Sequence, residues 1–507
     1  MTHTLGIEFG STRIKAVLID EAFRPVASGD YTWKSDLRDG VWTYDLEEAW
    51  SGLRTALRAL GEVSVDAMGI SAMMHGYLAF DKDWNLLTPF RTWQNTMTGE
   101  EAAELTELFG FNIPQRWSIA HLYQAVLNGE AHVKNIAHIT TLAGYVHYLL
   151  TGENVLGVGE ASGMFPIDSE ALDYDAAMLE KFDALIAKYG FAWTARSVLP
   201  KVLTAGQAAG ALTQAGSTFL DGLLSAGIPF CPPEGDAGTG MTATNAVAPR
   251  TGNVSAGTSI FAMVVLEKPL SKVYQEIDMV TTPSGKPVAM VHCNNCTNDM
   301  NAWVGLLGET AKLFGAEVST GELFTKLYQK SLEGDADCSG VLTYNYMAGE
   351  GVTHLDEGRP MVVRKPESQF TLANFLRSQL YATMSTLKLG MDILAEEHVA
   401  IDSLTGHGGL FKTPVVGQKY MAAACRAPVT CMESAGEGGP YGMALLASYL
   451  VQKKDGQTLE QYLETEVFAD VKRTTLAPDP EDAAGFDRYL GWYRSALAAE
   501  TAAVNAF

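Results

Sequence analysis

Apolar residues near the start of the chain fall in two short runs, Ile7 and Phe9, then Ile14, Ala16, Leu18 and Ile19, separated by Gly10, Ser11 and Thr12. That pattern predicts two strands joined by a tight turn. A carboxylate, Glu8, stands inside the first run. From 46 to 60 the spacing becomes helical, with Leu46, Ala49, Trp50, Leu53, Leu57 and Leu60 on one face. VDAMGISAMMHGYLAFD (65 to 81) then reads as two more strands that meet near Met74 and His75, and a helical region follows, ending in YVHYLLTGE. GIPFCPPEGDAGTGMTATNAV (227 to 247) passes from prolines through a Gly-rich turn around Asp236 into small residues that suit a tightly packed helix. Strand-like and helical patterns alternate through most of the chain, which predicts α/β architecture.

The second half partly repeats the first. TGNVSAGTSIFAMVVLE (251 to 267) sets Gly257, Thr258 and Ser259 before an apolar strand, as Gly10, Ser11 and Thr12 precede theirs. A repeated strand, Gly-hydroxyl-hydroxyl turn and strand predicts a duplicated fold with one phosphate-holding turn in each half, because glycine admits a close ligand while N–H groups and hydroxyls bind phosphate oxygens. Residues 372 to 394 carry Leu372, Leu376, Leu380, Met384, Leu387, Met391 and Leu394 at helical spacing and read as a core helix. IDSLTGHGGLFKTPVVGQKYMAAA (401 to 424) is strand, Gly-rich loop and helix, and CMESAGEGGPYGMALLASYL (431 to 450) is a second loop entering a helix. Such loops place N–H groups and a helix dipole beside a ligand. Residues 456 to 507 form a mainly helical tail.

Length and charge narrow the choices. A chain of 507 residues exceeds what one core supports, so two large domains with a cleft between them are expected. The net charge of -23 argues against nucleic acid or an anionic membrane surface as partner. A phosphate ligand must therefore find backbone donors, a helix N-terminus or a cation such as Mg²⁺. No early segment joins a basic start to an apolar run, and none approaches the roughly 20 apolar residues of a membrane span, so a cytoplasmic protein is expected. The cysteines are six, and Cys293 and Cys296 form a C-x-x-C beside His292. A structural zinc site needs four ligands and no second pair exists, which leaves buried or idle thiols.

GIEFGSTRIKAVLID, MMHGYLAFD, YVHYLLTGE, EGDAGTGMTATNAV, NVSAGTSI and GHGGLFKTPVVGQ, in that order, resemble the FGGY carbohydrate kinases from about residue 5 to about residue 450. The resemblance implies a duplicated actin/hexokinase-type (ribonuclease H-like) ATPase fold with two domains around a cleft. It sets a sugar-binding domain at 1–248, a nucleotide-binding domain at 249–455 and a helical tail at 456–507 packed on the second domain. Gly10, Ser11 and Thr12 look like the first phosphate turn and Gly257, Thr258 and Ser259 like the second. Glu8 stands where the family usually has Asp near Mg²⁺, one methylene further out. Asp236 matches the catalytic carboxylate. Its residues alone fit a helix N-cap equally well.

Met74 and His75 resemble the Met-His-Gly that xylulokinases place against the sugar, and Trp93, Gln94 and Asn95 follow where the family has its next sugar contacts. Gly408 and Gly409 look like the adenosine loop, with Gly436, Glu437, Gly438 and Gly439 in its neighbour. GGLFKTPVVGQ is closer to ribulokinase-like members, and SAGEGGPYGMA departs from the alanine-rich version common in the family. The resemblance therefore implies an ATP- and Mg²⁺-dependent kinase of a small sugar, a ketopentose with D-xylulose first and ribulose second. Another polyol or a sugar acid is the alternative, for which Arg91 would supply a cation. A nucleotide switch or sugar sensor without turnover is the alternative from another class. A homodimer is compatible with the family.

Overall fold

The computed structural model describes residues 2–433 and 438–506. Two compact units emerge, and both are discontinuous: the first comprises Met1–Pro249, Val265–Val288 and Glu437–Val471, the second Arg250–Val264, Ala289–Gly436 and Lys472–Phe507. This differs from the unbroken segments 1–248, 249–455 and 456–507. The chain crosses from unit to unit several times, and the tail divides at 471 instead of packing on one domain.

The first unit is built on a five-stranded sheet. Strands β1 (Thr4–Phe9), β2 (Arg13–Ile19) and β3 (Pro25–Thr32) form an antiparallel meander, while β4 (Ala67–Ala72) and the short β5 (Glu234–Gly235) extend the sheet parallel to β1, in the order β5-β4-β1-β2-β3. Between β3 and β4 the helix α1 (Leu46–Ala59) starts where the Asp45 carboxylate accepts the N–H groups of Glu47 and Glu48. It buries Ala49, Trp50, Leu53, Ala56 and Leu57 in the core formed with Leu5, Ile7, Phe9 and Ile14. Directly after β5 the chain enters α2 (Asp236–Ala243).

The second unit repeats this plan. Strands β6 (Thr251–Ala256), β7 (Ile260–Val265) and β8 (Pro287–Cys293) occupy the places of β1, β2 and β3, and β9 (Ser403–His407) and β10 (Val429–Met432) those of β4 and β5. A further strand, β11 (Arg473–Leu476), pairs antiparallel with β10 in a segment read from sequence as helical. The long helix α3 (Leu372–Glu396) buries the expected face except Leu372, which is exposed, and buries Ala373 to Leu387 in succession.

The helix α4 (Gly438–Gln452) belongs to the first unit, where it lies on β1, β4 and α2. Glycine makes that approach possible. A Cβ at Gly6 would stand 2.0 Å from the Pro440 carbonyl oxygen, and one at Gly442 would stand 1.9 Å from the Thr239 carbonyl oxygen. Among the described residues no helix is long and apolar enough to cross a membrane. Cys293 and Cys296 are buried and free, and burial pushes both thiols up, as expected of inert packing residues.

Candidate active site

The parallel strands of the first sheet end side by side. Glu8 of β1 is in register with Ser71 of β4, which is in register with Glu234 of β5. Ligands of open α/β sheets gather at such carboxyl ends. Here they bring Glu8, Met74, His75 and Asp236 to one edge of the unit.

Asp236 opens α2, and its local role is not the one a helix start suggests. The N-cap is Gly235, with no side-chain cap bond. Asp236 Oδ1 accepts the N–H of Met74 at 3.2 Å and that of Ala237 at 3.0 Å. The residue is exposed, yet the crowding of its carboxyl group by surrounding protein raises its proton affinity, against the pull of those N–H groups and of Arg116. A raised carboxylate is a better base.

Glu8 is half-buried. Desolvation, and then the charge of Asp236, push it up to about 8, with Lys15 opposing. Two hard oxygen donors at one strand edge suit Mg²⁺, which takes one or two protein carboxylates and completes its shell with phosphate and water. Among the described residues no three acidic, His or Cys side chains are grouped so as to hold a metal by themselves.

Two residues that sequence reading passed over stand behind Asp236. Glu234, fully buried, accepts the N–H of Glu160 at 2.9 Å, and burial pushes it up to about 8. Glu160, also buried, is held well above the carboxylate range by burial, with the Asp236 and Glu234 charges adding. Their backbone neighbours leave no room for change: a Cβ on Gly235 would stand 2.3 Å from Glu160 Oε2, and one on Gly157 would stand 2.1 Å from Glu234 Oε1. Glu234 lies two residues before Asp236 in the quoted PPEGD, a signal that was in view; nothing in the sequence pointed to Glu160.

His75 has φ 71°, a left-handed conformation uncommon outside glycine and of the kind that clusters at functional sites. It is buried against Trp117, the rings stacked at 6.2 Å, and its Nδ1 donates to the Gly163 carbonyl at 3.1 Å. Burial, with Arg116 nearby, holds the ring neutral by lowering its proton affinity well below the usual value. With Nδ1 carrying the proton, Nε2 is left as an acceptor. Gly163 packs directly on this pair, since a Cβ there would stand 2.7 Å from His75 Nδ1 and 2.8 Å from Met74 Cε.

The 92–95 loop divides in its roles. Trp93 is 38% exposed. Gln94 Oε1 is buried and, among the described residues, lacks a hydrogen-bond partner. Asn95, expected as a sugar contact, is instead committed to the fold: its Oδ1 accepts the Trp42 N–H at 2.8 Å, and its Nδ2 donates to the carbonyls of Trp42 at 2.8 Å and Thr92 at 2.9 Å. Burial and this peptide-like pairing hold the loop and leave the amide little to offer a ligand. Arg91 is likewise engaged, paired with Glu130 and stacked over Tyr77. Arg116, beside the site, pairs with Asp278, which also receives Asn112 Nδ2 at 3.3 Å.

Each unit presents one Gly-hydroxyl-hydroxyl turn. In the first, Gly10 N–H donates to Arg13 O at 2.9 Å, Trp33 Nε1 to Gly10 O at 2.7 Å and Tyr44 Oη to Ser11 O at 2.8 Å, while Thr12 is exposed. In the second, Gly257 N–H donates to Ser259 O at 2.9 Å, Cys296 N–H to Thr258 O at 3.0 Å, and Thr297 Oγ1 to Gly257 O at 2.7 Å. Both turns are thus pinned through their carbonyl groups. Gly408, at φ 97°, lies over the end of β6, where a Cβ would stand 2.4 Å from Ala256 O, next to the second turn. Gly436 and Glu437 of the neighbouring loop lie outside the described residues.

Comparison with known proteins agrees with this fold. Residues 3–242 match the N-terminal domain, and residues 252–451 the C-terminal domain, of the FGGY family of carbohydrate kinases. The chain is 22% identical over 460 residues to the xylulose kinase of Haemophilus influenzae, covering 86% of this chain and 89% of that one. It is 26% identical over 286 residues to the glycerol kinase of Thermococcus kodakarensis, covering 52% and 54%. Among solved structures it superposes on the xylulose kinase from Rhodospirillum rubrum with a TM-score of 0.80 at 19% identity, covering 98% of each chain. The gluconate kinase from Lactobacillus acidophilus gives 0.80 at 16% identity, again over 98% of each. With both halves of the chain matched and the duplicated actin/hexokinase-type fold in place, this protein belongs to the FGGY family of carbohydrate kinases and is a sugar phosphotransferase.

Proposed function

We propose that the protein transfers a phosphoryl group from ATP to a hydroxyl of a neutral ketopentose, D-xylulose first and ribulose second. The observation that carries this reading is Asp236, exposed at the sheet edge, raised in proton affinity and oriented by the N–H of Met74. Phosphoryl transfer asks a protein mainly for positioning and charge stabilisation, plus a group to receive the hydroxyl proton. Asp236 receives that proton. Nε2 of His75 accepts from a second sugar hydroxyl, with Met74 and exposed Trp93 giving the carbon skeleton apolar cover and Gln94 Oε1 offering a further acceptor. Gly10 to Thr12 and Gly257 to Ser259 bind phosphate oxygens through N–H and hydroxyl groups, and Gly408 and Gly409 admit the adenosine. Glu8 is the carboxylate that would hold Mg²⁺, which when bound neutralises charge on the ATP phosphates.

Arginine pairing supports a neutral acceptor over a sugar acid. Arg91 and Arg116 are the cations near the sugar-side residues, and each is matched by a carboxylate, Glu130 and Asp278. An acid would add a charge beside Glu8 and Asp236, where these two arginines are already matched. The test is ADP release with Mg²⁺ across ketopentoses, polyols and aldonates, run beside Asp236→Asn. Release stimulated by D-xylulose or L-ribulose and lost in the variant supports the reading. Stimulation by an aldonate alone would replace the ketopentose, and an Asp236→Asn protein with unchanged output would favour the switch or sensor.

A further inference from the structure

Glu8 and Gly439 lie at opposite ends of the chain and meet in the fold. Glu8 is at the end of β1, and Gly439 is in the first turn of α4. A Cβ at Gly439 would stand 1.8 Å from Glu8 Oε1, 2.7 Å from its carboxyl carbon and 3.1 Å from Thr239 Oγ1. Real Cβ atoms do not come within 3.0 Å of a neighbour. Backbone conformation does not call for glycine here, since Gly439 is absent from the residues with positive φ. Space does.

The helix side cannot yield, so the flexible end of Glu8 would have to. α4 is pressed onto β1 and α2 by the backbone contacts at Gly6 and Gly442, so it has no freedom to withdraw. Thr239 is held by hydrogen bonds at 3.2 Å to Ser71 Oγ and to the Gly235 carbonyl. Glu8 could make room only by swinging its carboxylate away from the place it now shares with Asp236. An Asp at position 8 would end about 1.5 Å short, one carbon–carbon bond less, and would leave that volume empty.

We propose that Gly439 is the steric counterpart of Glu8, a positioning residue that makes room for the longer carboxylate so that its oxygens reach the metal side of the site. The functional half of this inference rests on the reading of Glu8 given above; the steric half does not. Four proteins test it: wild type, Glu8→Asp, Gly439→Ala and the double variant. Two measurements are made on each, the thermal unfolding midpoint of the metal-free protein and the Mg²⁺ concentration that half-saturates sugar-dependent ADP release.

Gly439→Ala alone is expected to lower the unfolding midpoint by several degrees and to raise the half-saturating Mg²⁺ at least threefold. In the Glu8→Asp background the same change is expected to leave the midpoint level or raise it, alanine being the better helix former, and to restore the Mg²⁺ response. Additive effects on unfolding would overturn the pairing. Coupled unfolding with one Mg²⁺ response in all four proteins would overturn the positioning role. A wild type that phosphorylates no sugar would count against the proposed function, while the unfolding cycle would still decide the pairing.

Discussion

The N–H of Met74 donates to Oδ1 of Asp236 at 3.2 Å, joining the loop after β4 to the first residue of α2. One hydrogen bond thus sets that loop and the proposed base in a common frame. Because Gly235 supplies the N-cap, Asp236 is free of a duty to the helix. Asp236→Asn is expected to reduce turnover by about 10²–10⁴-fold, the usual contribution of a positioned base. Sugar binding by calorimetry and the unfolding midpoint should stay near wild type. A fall in stability matching the loss of activity would return Asp236 to a capping role.

Asn95 separates a structural amide from a ligand contact. Asn95→Ala removes three hydrogen bonds to the backbone of Trp42 and Thr92 at a buried position. The expected cost is about 1–3 kcal/mol of stability, chiefly from the unpaired peptide groups left behind. Denaturant unfolding measures it. A raised KM for sugar with unchanged stability would restore Asn95 to the contact set.

Glu234 gives the metal-free protein a pH signature. Its folded value of about 8 lies above the ordinary 4.5, so the group releases its proton more readily when unfolded. Its contribution to stability is therefore full below about pH 4.5 and is lost as pH rises through about 8. Glu160 acts in the same direction. Glu234→Gln keeps an oxygen to accept the Glu160 N–H and cannot ionise. Its unfolding midpoint should fall less steeply than wild type between pH 5 and 9, and equal slopes would show that Glu234 stays ionised in the fold.

Gly408 offers a test in the second unit. Its φ of 97° and the 2.4 Å approach of a Cβ to Ala256 O both oppose a side chain. Gly408→Ala is expected to raise KM for ATP several-fold with less effect on KM for sugar, read by varying each at saturation of the other. Equal effects on both would indicate general destabilisation.

His75 is the sugar-side counterpart. Removing its imidazole with His75→Ala takes away the Nε2 acceptor and the stacking on Trp117, and KM for the ketopentose is expected to rise tenfold or more with KM for ATP little changed. A variant with wild-type KM for sugar would place the pocket elsewhere.

Much of this protein was legible in its order of residues. Periodicity located β1, β2, α1 and α3, because an amphipathic pattern is a local property that burial of one face enforces. The Gly-hydroxyl-hydroxyl turns after β1 and β6 announced the duplication, since a short turn places its few groups without help from distant chain. Asp236 stood out in its Gly-rich turn for the same reason. What the linear order left open depends on contacts between residues far apart along it. Asn95 has the chemistry of a sugar contact, and only the arrival of the Trp42 peptide assigns it to the fold. Arg91 reads as a free cation until Glu130 is found against it. Glu160 becomes part of the surroundings of Asp236 only when Gly235 is packed on its carboxyl group. The division of the tail at 471 follows from what each segment meets, Tyr462 Oη lying 2.8 Å from Ser448 Oγ of α4 while β11 pairs with β10. Glu8 and Gly439 are two unrelated oddities in sequence and a single steric fit in space, because the volume one side chain occupies is set by whatever backbone the fold brings beside it.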